Sequence, residues 1–232
     1  MGSAVFAGRN RLDDMLTVKD WKGVVLKEAL AETLKAAPAP MREGQPGFAL
    51  DGYVEVHIEQ GPRLENARKT IGVVTGIQGS RRYIVEVNGE EAHAGTTPRA
   101  ARKDAFAAAT RIAAAMYEAT ADADDTLRFT IGRVDVAPGS PNTVPGKASF
   151  TIDMRHPRDA ELETHEKKLR DIVAARAAPC PATLTRVTAV APTDFDLTVI
   201  DLVRAKANEL KLSNMDMPSG AGHDAKIGRA HV

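Results

Sequence analysis

Lys147-Ala148-Ser149-Phe150-Thr151-Ile152-Asp153-Met154-Arg155 alternates apolar and polar side chains. Phe150, Ile152 and Met154 fall on one side and Thr151, Asp153 and Arg155 on the other, the period-two pattern of a strand buried on one face. Reading outward, residues 159–177 predict a helix and 182–190 a strand. Upstream, 126–136 predict a strand, 98 to about 119 a helix, and 81–88 a strand. Thr97 as N-cap and Pro98 at the first helical position would start that helix. The order is β-α-β-β-α-β, the ferredoxin-like split unit of an α+β domain.

Around this unit the pattern differs. Residues 12–36 read as one helix, with Val24, Leu26, Ala29, Leu30 and Leu34 as its apolar stripe. A Pro/Gly-rich loop at 36–47 follows. In Tyr53-Val54-Glu55-Val56-His57-Ile58-Glu59-Gln60, alternation predicts a strand with Val54, Val56 and Ile58 on one face. Residues 197–210 predict a helix, and Ser219-Gly220-Ala221-Gly222-His223-Asp224 a turn toward another. The expected fold is an α/β catalytic-domain fragment interrupted by the α+β domain. Its parts are residues 1–75, 76–191 as the insertion, and 192–225.

The 232 residues hold 31 Lys+Arg and 31 Asp+Glu, so the formal charge is zero. That excludes an electrostatic nucleic-acid binder, which needs a basic excess. With 43% hydrophobic and 27% charged residues, the composition is that of an ordinary globular chain. No apolar run reaches the roughly 18–20 residues of a membrane span, and no secretory signal is expected at the N-terminus. A single cysteine, Cys180, forms no internal disulfide, which fits a reducing, cytoplasmic compartment.

Several residues can carry chemistry. His57, beside Glu59 at a strand end, can bind zinc; the alternative is a solvated polar face. His93, among small residues in Glu91-Ala92-His93-Ala94-Gly95-Thr96-Thr97-Pro98, can donate to an oxyanion, or is a surface histidine. Asn142 lies in a loop longer than a tight hairpin needs, and either serves function or supplies turn geometry. Arg155 can grip a carboxylate with its fork, or belongs to a charged surface strand. Free N–H groups along Ser219-Gly220-Ala221-Gly222 can hold an anion, or that segment is a linker.

Five motifs in order resolve these alternatives by resemblance. Val56-His57-Ile58-Glu59-Gln60-Gly61-Pro62, His93-Ala94-Gly95-Thr96-Thr97-Pro98, Pro141-Asn142-Thr143-Val144-Pro145-Gly146, Asp153-Met154-Arg155-His156-Pro157 and Ser219-Gly220-Ala221-Gly222-His223-Asp224-Ala225 stand in sequence. Together they resemble N-carbamoyl-L-amino-acid hydrolases, β-ureidopropionases and allantoate amidohydrolases, within the zinc-dependent aminoacylase/carboxypeptidase-type metallohydrolases. The resemblance implies that the insertion is a lid and homodimer interface. It implies that His57 is a zinc ligand, Gln60 lies beside the substrate, and His93 is catalytic, steadying the oxyanion. Asn142, Arg155, Ser219 and Gly220 would bind substrate, Arg155 taking its carboxylate. Two Zn2+ per site are implied, with Mn2+ or Co2+ able to substitute. The partner is a small carbamoyl or ureido amino acid, with no nucleic acid and no membrane.

The same resemblance implies missing parts: a metal-binding His, a bridging Asp and paired glutamates before Met1, and a last zinc histidine after Ala225. Met1 is therefore expected to be internal, and the chain to be a fragment, inactive and weak in zinc binding. Residues 226–232 are expected to be a non-native tail, since their codons resemble a sequencing-adapter read, so His231 has no role. Competing expectations are a non-catalytic dimerisation or ligand-binding module, or an aminoacylase or dipeptidase.

Overall fold

The computed structural model describes residues 2–20, 22–37, 47, 51–121 and 126–228. In chain order the first elements are α1 (Gly2–Phe6), α2 (Leu12–Leu16), α3 (Leu26–Ala36), α4 (Arg63–Asn66), β1 (Ile71–Ile77), β2 (Gly79–Asn88) and β3 (Ala92–His93). A 3-10 turn (Arg99–Ala101), α5 (Ala105–Ala119), β4 (Arg128–Ala137), β5 (Thr143–Val144), β6 (Lys147–His156) and α6 (Asp159–Arg176) follow. The last are β7 (Ala182–Val190), β8 (Thr193–Asp194), α7 (Leu197–Glu209), β9 (Asn214–Ser219) and α8 (Ala225–Gly228). No described helix is long and apolar enough to cross a membrane. The chain divides into a larger unit, Gly72–Asp196 with Asn214–Gly220, and a smaller one, Met1–Ile71 with Leu197–Ser213 and Ala221–Val232.

The larger unit is a mixed α/β structure built on a four-stranded sheet of order β4-β6-β2-β7. All three pairings are antiparallel. β6 is central, with a neighbour on each side, so both rows of its backbone groups are satisfied. Its alternation delivers Ala148, Phe150, Ile152 and Met154 to one buried face beside Tyr83, Val85 and Val87 of β2. α5 covers that face with Ala105, Ala108, Ala109, Ile112 and Met116, and α6 with Leu162, Leu169 and Val173. Removing each large side chain from water contributes about 1.5–3 kcal/mol. The small alanines of α5 let the helix sit close to the sheet.

α6 also carries a carboxylate on its apolar stripe. Glu166 follows Leu162 by four residues and precedes Leu169 by three, and it is buried. It accepts from Arg81 (3.1 Å), Tyr83 Oη (2.9 Å), Arg170 Nη2 (2.7 Å) and Arg186 (3.1 Å). Burial pushes the carboxyl up, but the hydrogen bonds from Arg170 and Tyr83, the charge of Arg186 and the bond from Arg81 outweigh it and hold it at about 2. These contacts tie α6 to β2 and β7. A buried charge without such partners would be strongly destabilising.

Three sequence expectations are corrected. The helix expected at Pro98 begins at Ala105, where the Asp104 carboxylate accepts from Ala107 N at 2.9 Å. The Thr97-Pro98 pair belongs instead to a loop stapled by Arg102, whose guanidinium donates to Thr97 O (2.9 Å) and Ala94 O (2.6 Å). The helix expected over residues 12–36 is two helices. Asp20 Oδ1 accepts from Lys22 N and Val24 N, both at 2.8 Å, and Gly23 takes φ +85°, closing a turn that a helix excludes.

The third correction is the strand expected at 53–60, in the smaller unit. Among the described residues it forms no ladder, and Val54 (62% exposed), Ile58 (76%) and Val56 (99%) face solvent. Alternation there specifies which side needs covering, but among the described residues no neighbouring strand supplies the hydrogen bonds. The larger unit also holds a sheet that the pattern did not announce, β8-β1-β9. Most of the Pro/Gly-rich loop at 36–47 and residues 229–232 of the expected tail lie outside the described residues.

Candidate active-site residues

In the smaller unit, His57 is exposed, and its Nδ1 lies 2.6 Å from Ile58 O. A carbonyl only accepts, so Nδ1 is the donor here, which in a neutral ring leaves the Nε2 lone pair for a metal. The His223 ring centroid is 5.7 Å away, and His223 Nδ1 lies 3.6 Å from Glu55 Oε2. Burial pulls the His223 imidazole below its ordinary value, against the opposing charge of Glu55. Glu59 does not orient His57. Its carboxylate accepts from Arg63 N (2.8 Å) and Leu64 N (2.9 Å), starting α4. Gln60 is exposed and takes φ +56°, the left-handed conformation, as the chain turns into Gly61-Pro62. Among the described residues, no group of three or more His, Cys, Asp or Glu is gathered to hold a metal. His57 thus fits the role of one donor, and further donors are needed to complete a centre.

In the larger unit, β3 pairs with β5, and Ala94 N donates to Asn142 O at 2.9 Å. This brings the His93 and Asn142 segments together. His93 Nδ1 accepts from Gly95 N (3.0 Å) and Thr96 N (3.2 Å). Nδ1 is therefore bare, and the exposed ring's proton sits on Nε2 as a donor. A Cβ on Gly95 would stand 3.3 Å from His93 Cε1, so the glycine leaves the ring room. Asn142 Oδ1 accepts from Ser140 Oγ at 2.7 Å, which leaves its amide N–H groups as the donors for anything beyond the loop.

Arg155, at the end of β6, donates from Nη1 to Gly220 O at 2.8 Å. Ser219 ends β9, and Ser219 O accepts from Gln78 N at 3.2 Å. Two segments 65 residues apart thus meet, and a guanidinium stands against the Ser219-Gly220 main chain. Asp153 and Arg82 also belong to this cluster and were not singled out in the sequence. Asp153 was legible as the residue two before Arg155 on the same strand face. Arg82 needed the register, in which it pairs with Asp153. Hydrogen bonding to Arg155, then to Arg82, holds the Asp153 carboxyl below the usual carboxylate range.

Residues 75–179 match the M20 peptidase dimerisation domain. The chain is 33% identical to an N-carbamoyl-L-amino-acid amidohydrolase of Paenarthrobacter aurescens over 228 residues, 97% of this chain and 55% of that protein. It is 36% identical to the allantoate amidohydrolase of Escherichia coli (strain K12), again over 97% of this chain and 55% of that protein. A solved amidase of the hydantoinase/carbamoylase family from Burkholderia vietnamiensis is 41% identical with TM-score 0.84, covering 97% of this chain and 54% of that one. Over nearly its whole length the chain is therefore similar to amidohydrolases of this hydantoinase/carbamoylase kind. It spans about half the length of the curated relatives it matches.

Proposed function

We propose that the chain is a fragment carrying the substrate-holding part of a metal-dependent amidohydrolase. The enzyme would cleave the carbamoyl C–N bond of N-carbamoyl-L-amino acids or related ureido acids, allantoate and β-ureidopropionate. The meeting of Arg155 with Gly220 carries this reading. A guanidinium held at a strand end suits a carboxylate, which all these substrates bear. The Ser219 and Gly220 backbone would contact the same carboxylate, and Gln60 and Asn142 the rest of the substrate. His93 Nε2–H would donate to the oxygen that gains charge as the carbonyl carbon becomes tetrahedral.

His57 would hold zinc through Nε2, and Mn2+ or Co2+ suit the same nitrogen. Bound metal supplies an activated water and polarises the carbonyl. The remaining donors and the general base would come from outside the described residues, so this chain alone should not turn over substrate. Residues 76–191 would form a ferredoxin-like lid and homodimer interface between catalytic parts at 1–75 and 192–225. The strand order β4-β6-β2-β7 with both helices on one face supports that lid. A free, buried Cys180 fits a cytoplasmic setting. No observation favours a non-catalytic dimerisation module, because similarity to the amidohydrolases runs past residues 75–179 on both sides.

The test is ammonia release by the complete zinc-loaded protein that carries this chain, given an N-carbamoyl-L-amino acid, β-ureidopropionate and allantoate. Hydrolysis of at least one is expected. Hydrolysis of N-acyl amino acids or dipeptides, with all three ureido acids untouched, would contradict the proposal.

A further inference from the structure

Arg155 does not present a whole fork to a ligand. Its Nε donates to Asp153 Oδ1 at 2.7 Å and its Nη2 to Asp153 Oδ2 at 3.0 Å, so that edge is closed by a bidentate pair. Asp153 is held from behind, where Arg82 Nε donates to its Oδ2 at 3.1 Å. With Nη1 on Gly220 O, three of the five guanidinium N–H groups are engaged, and one on each terminal nitrogen is left by these contacts. An isolated arginine on an open sheet face samples many rotamers. Pinned at three points, this one holds its two remaining donors in a fixed direction.

We propose that Asp153, backed by Arg82, is the positioning residue of the carboxylate site, aiming the terminal N–H groups of Arg155 at the ligand's carboxylate. The proposal rests on the reading of Arg155 as the carboxylate-binding residue. A different physical picture predicts the opposite sign. Arg82 stands directly across from Asp153 on β2, so the Asp153 carboxylate takes hydrogen bonds from two guanidinium groups. If charge alone drew the ligand, removing the Asp153 charge would tighten binding. If orientation governs, the same change loosens it.

The experiment is calorimetric titration of the 232-residue chain and its variants with N-carbamoyl-L-alanine and with the corresponding carboxamide. The wild type should prefer the acid by at least about tenfold. Asp153→Asn should bind the acid at least about tenfold more weakly and the amide within about twofold, so the preference disappears. Arg82→Gln should weaken acid binding a few-fold, and Asp153→Glu should recover part of the loss. Circular dichroism establishes folding for each variant; if Asp153→Asn does not fold, Arg82→Gln and Asp153→Glu carry the test. Unchanged or tighter acid binding by Asp153→Asn, or equal weakening of acid and amide, overturns the positioning role and leaves Arg155 as the binder. A wild type that does not distinguish acid from amide overturns the carboxylate-site reading itself.

Discussion

Residues 147–156 and residues 53–60 carry the same alternation of apolar and polar side chains, yet only the first segment is a strand. β6 lies between β2 and β4, and its apolar residues are sealed by two helices, with Phe150 2% exposed. The segment containing His57 has no ladder among the described residues, and Val56 is fully open to solvent. Alternation therefore reports which face a segment would bury, while hydrogen-bonding neighbours decide whether it becomes a strand. The larger unit meets both conditions. In the smaller one the apolar face is specified and, among the described residues, left uncovered.

Truncation should separate the two segments most strongly. Phe150→Ala should cost about 3–5 kcal/mol in urea unfolding, whereas Val56→Ala should stay within about 0.5 kcal/mol. Equal losses would show that residue 56 is buried and break the comparison. Acid should also act on the larger unit. The Glu166 carboxyl is held at about 2 against an ordinary 4.5. Because the folded value is the lower one, this stabilisation is present above pH 4.5 and is lost as pH falls toward 2. The loss should be on the order of 3 kcal/mol, and Glu166→Gln should flatten that part of the profile. Removing the α5 cap by Asp104→Ala should cost about 1 kcal/mol by the same unfolding assay. The smallest effect on stability, within about 0.5 kcal/mol, is expected for Val56→Lys with Ile58→Lys. Light scattering should nevertheless show less self-association, since an exposed apolar face is replaced by charge.

Much of the larger unit was legible because the strands of its four-stranded sheet alternate and its helices lie between them in sequence. The start of α5 was misread for a local reason: Thr97-Pro98 imitates a helix start, and only the tertiary bonds of Arg102 reveal a stapled loop. The break between α2 and α3 was present in Asp20 and Gly23, whose turn geometry is itself a sequence signal. β1 and β9 went unread because neither shows a clean alternation, and their pairing joins residues more than 130 positions apart. The site followed the same rule. His57, His93 and Arg155 were visible as residue types in motifs. The tautomers of the two histidines and the Arg155–Gly220 contact depend on partners that only folding supplies.

The central claim is that Arg155 holds the carboxylate of a ureido acid. Its most direct test is Arg155→Gln in the complete zinc-loaded protein, with kcat and KM measured on an N-carbamoyl-L-amino acid and on its carboxamide. Loss of the charged bond, roughly 2–3 kcal/mol, predicts a fall of about 30- to 150-fold in kcat/KM for the acid, mainly through KM, and little change for the amide. An unchanged kcat/KM for the acid, or the same fall for both substrates, would contradict it.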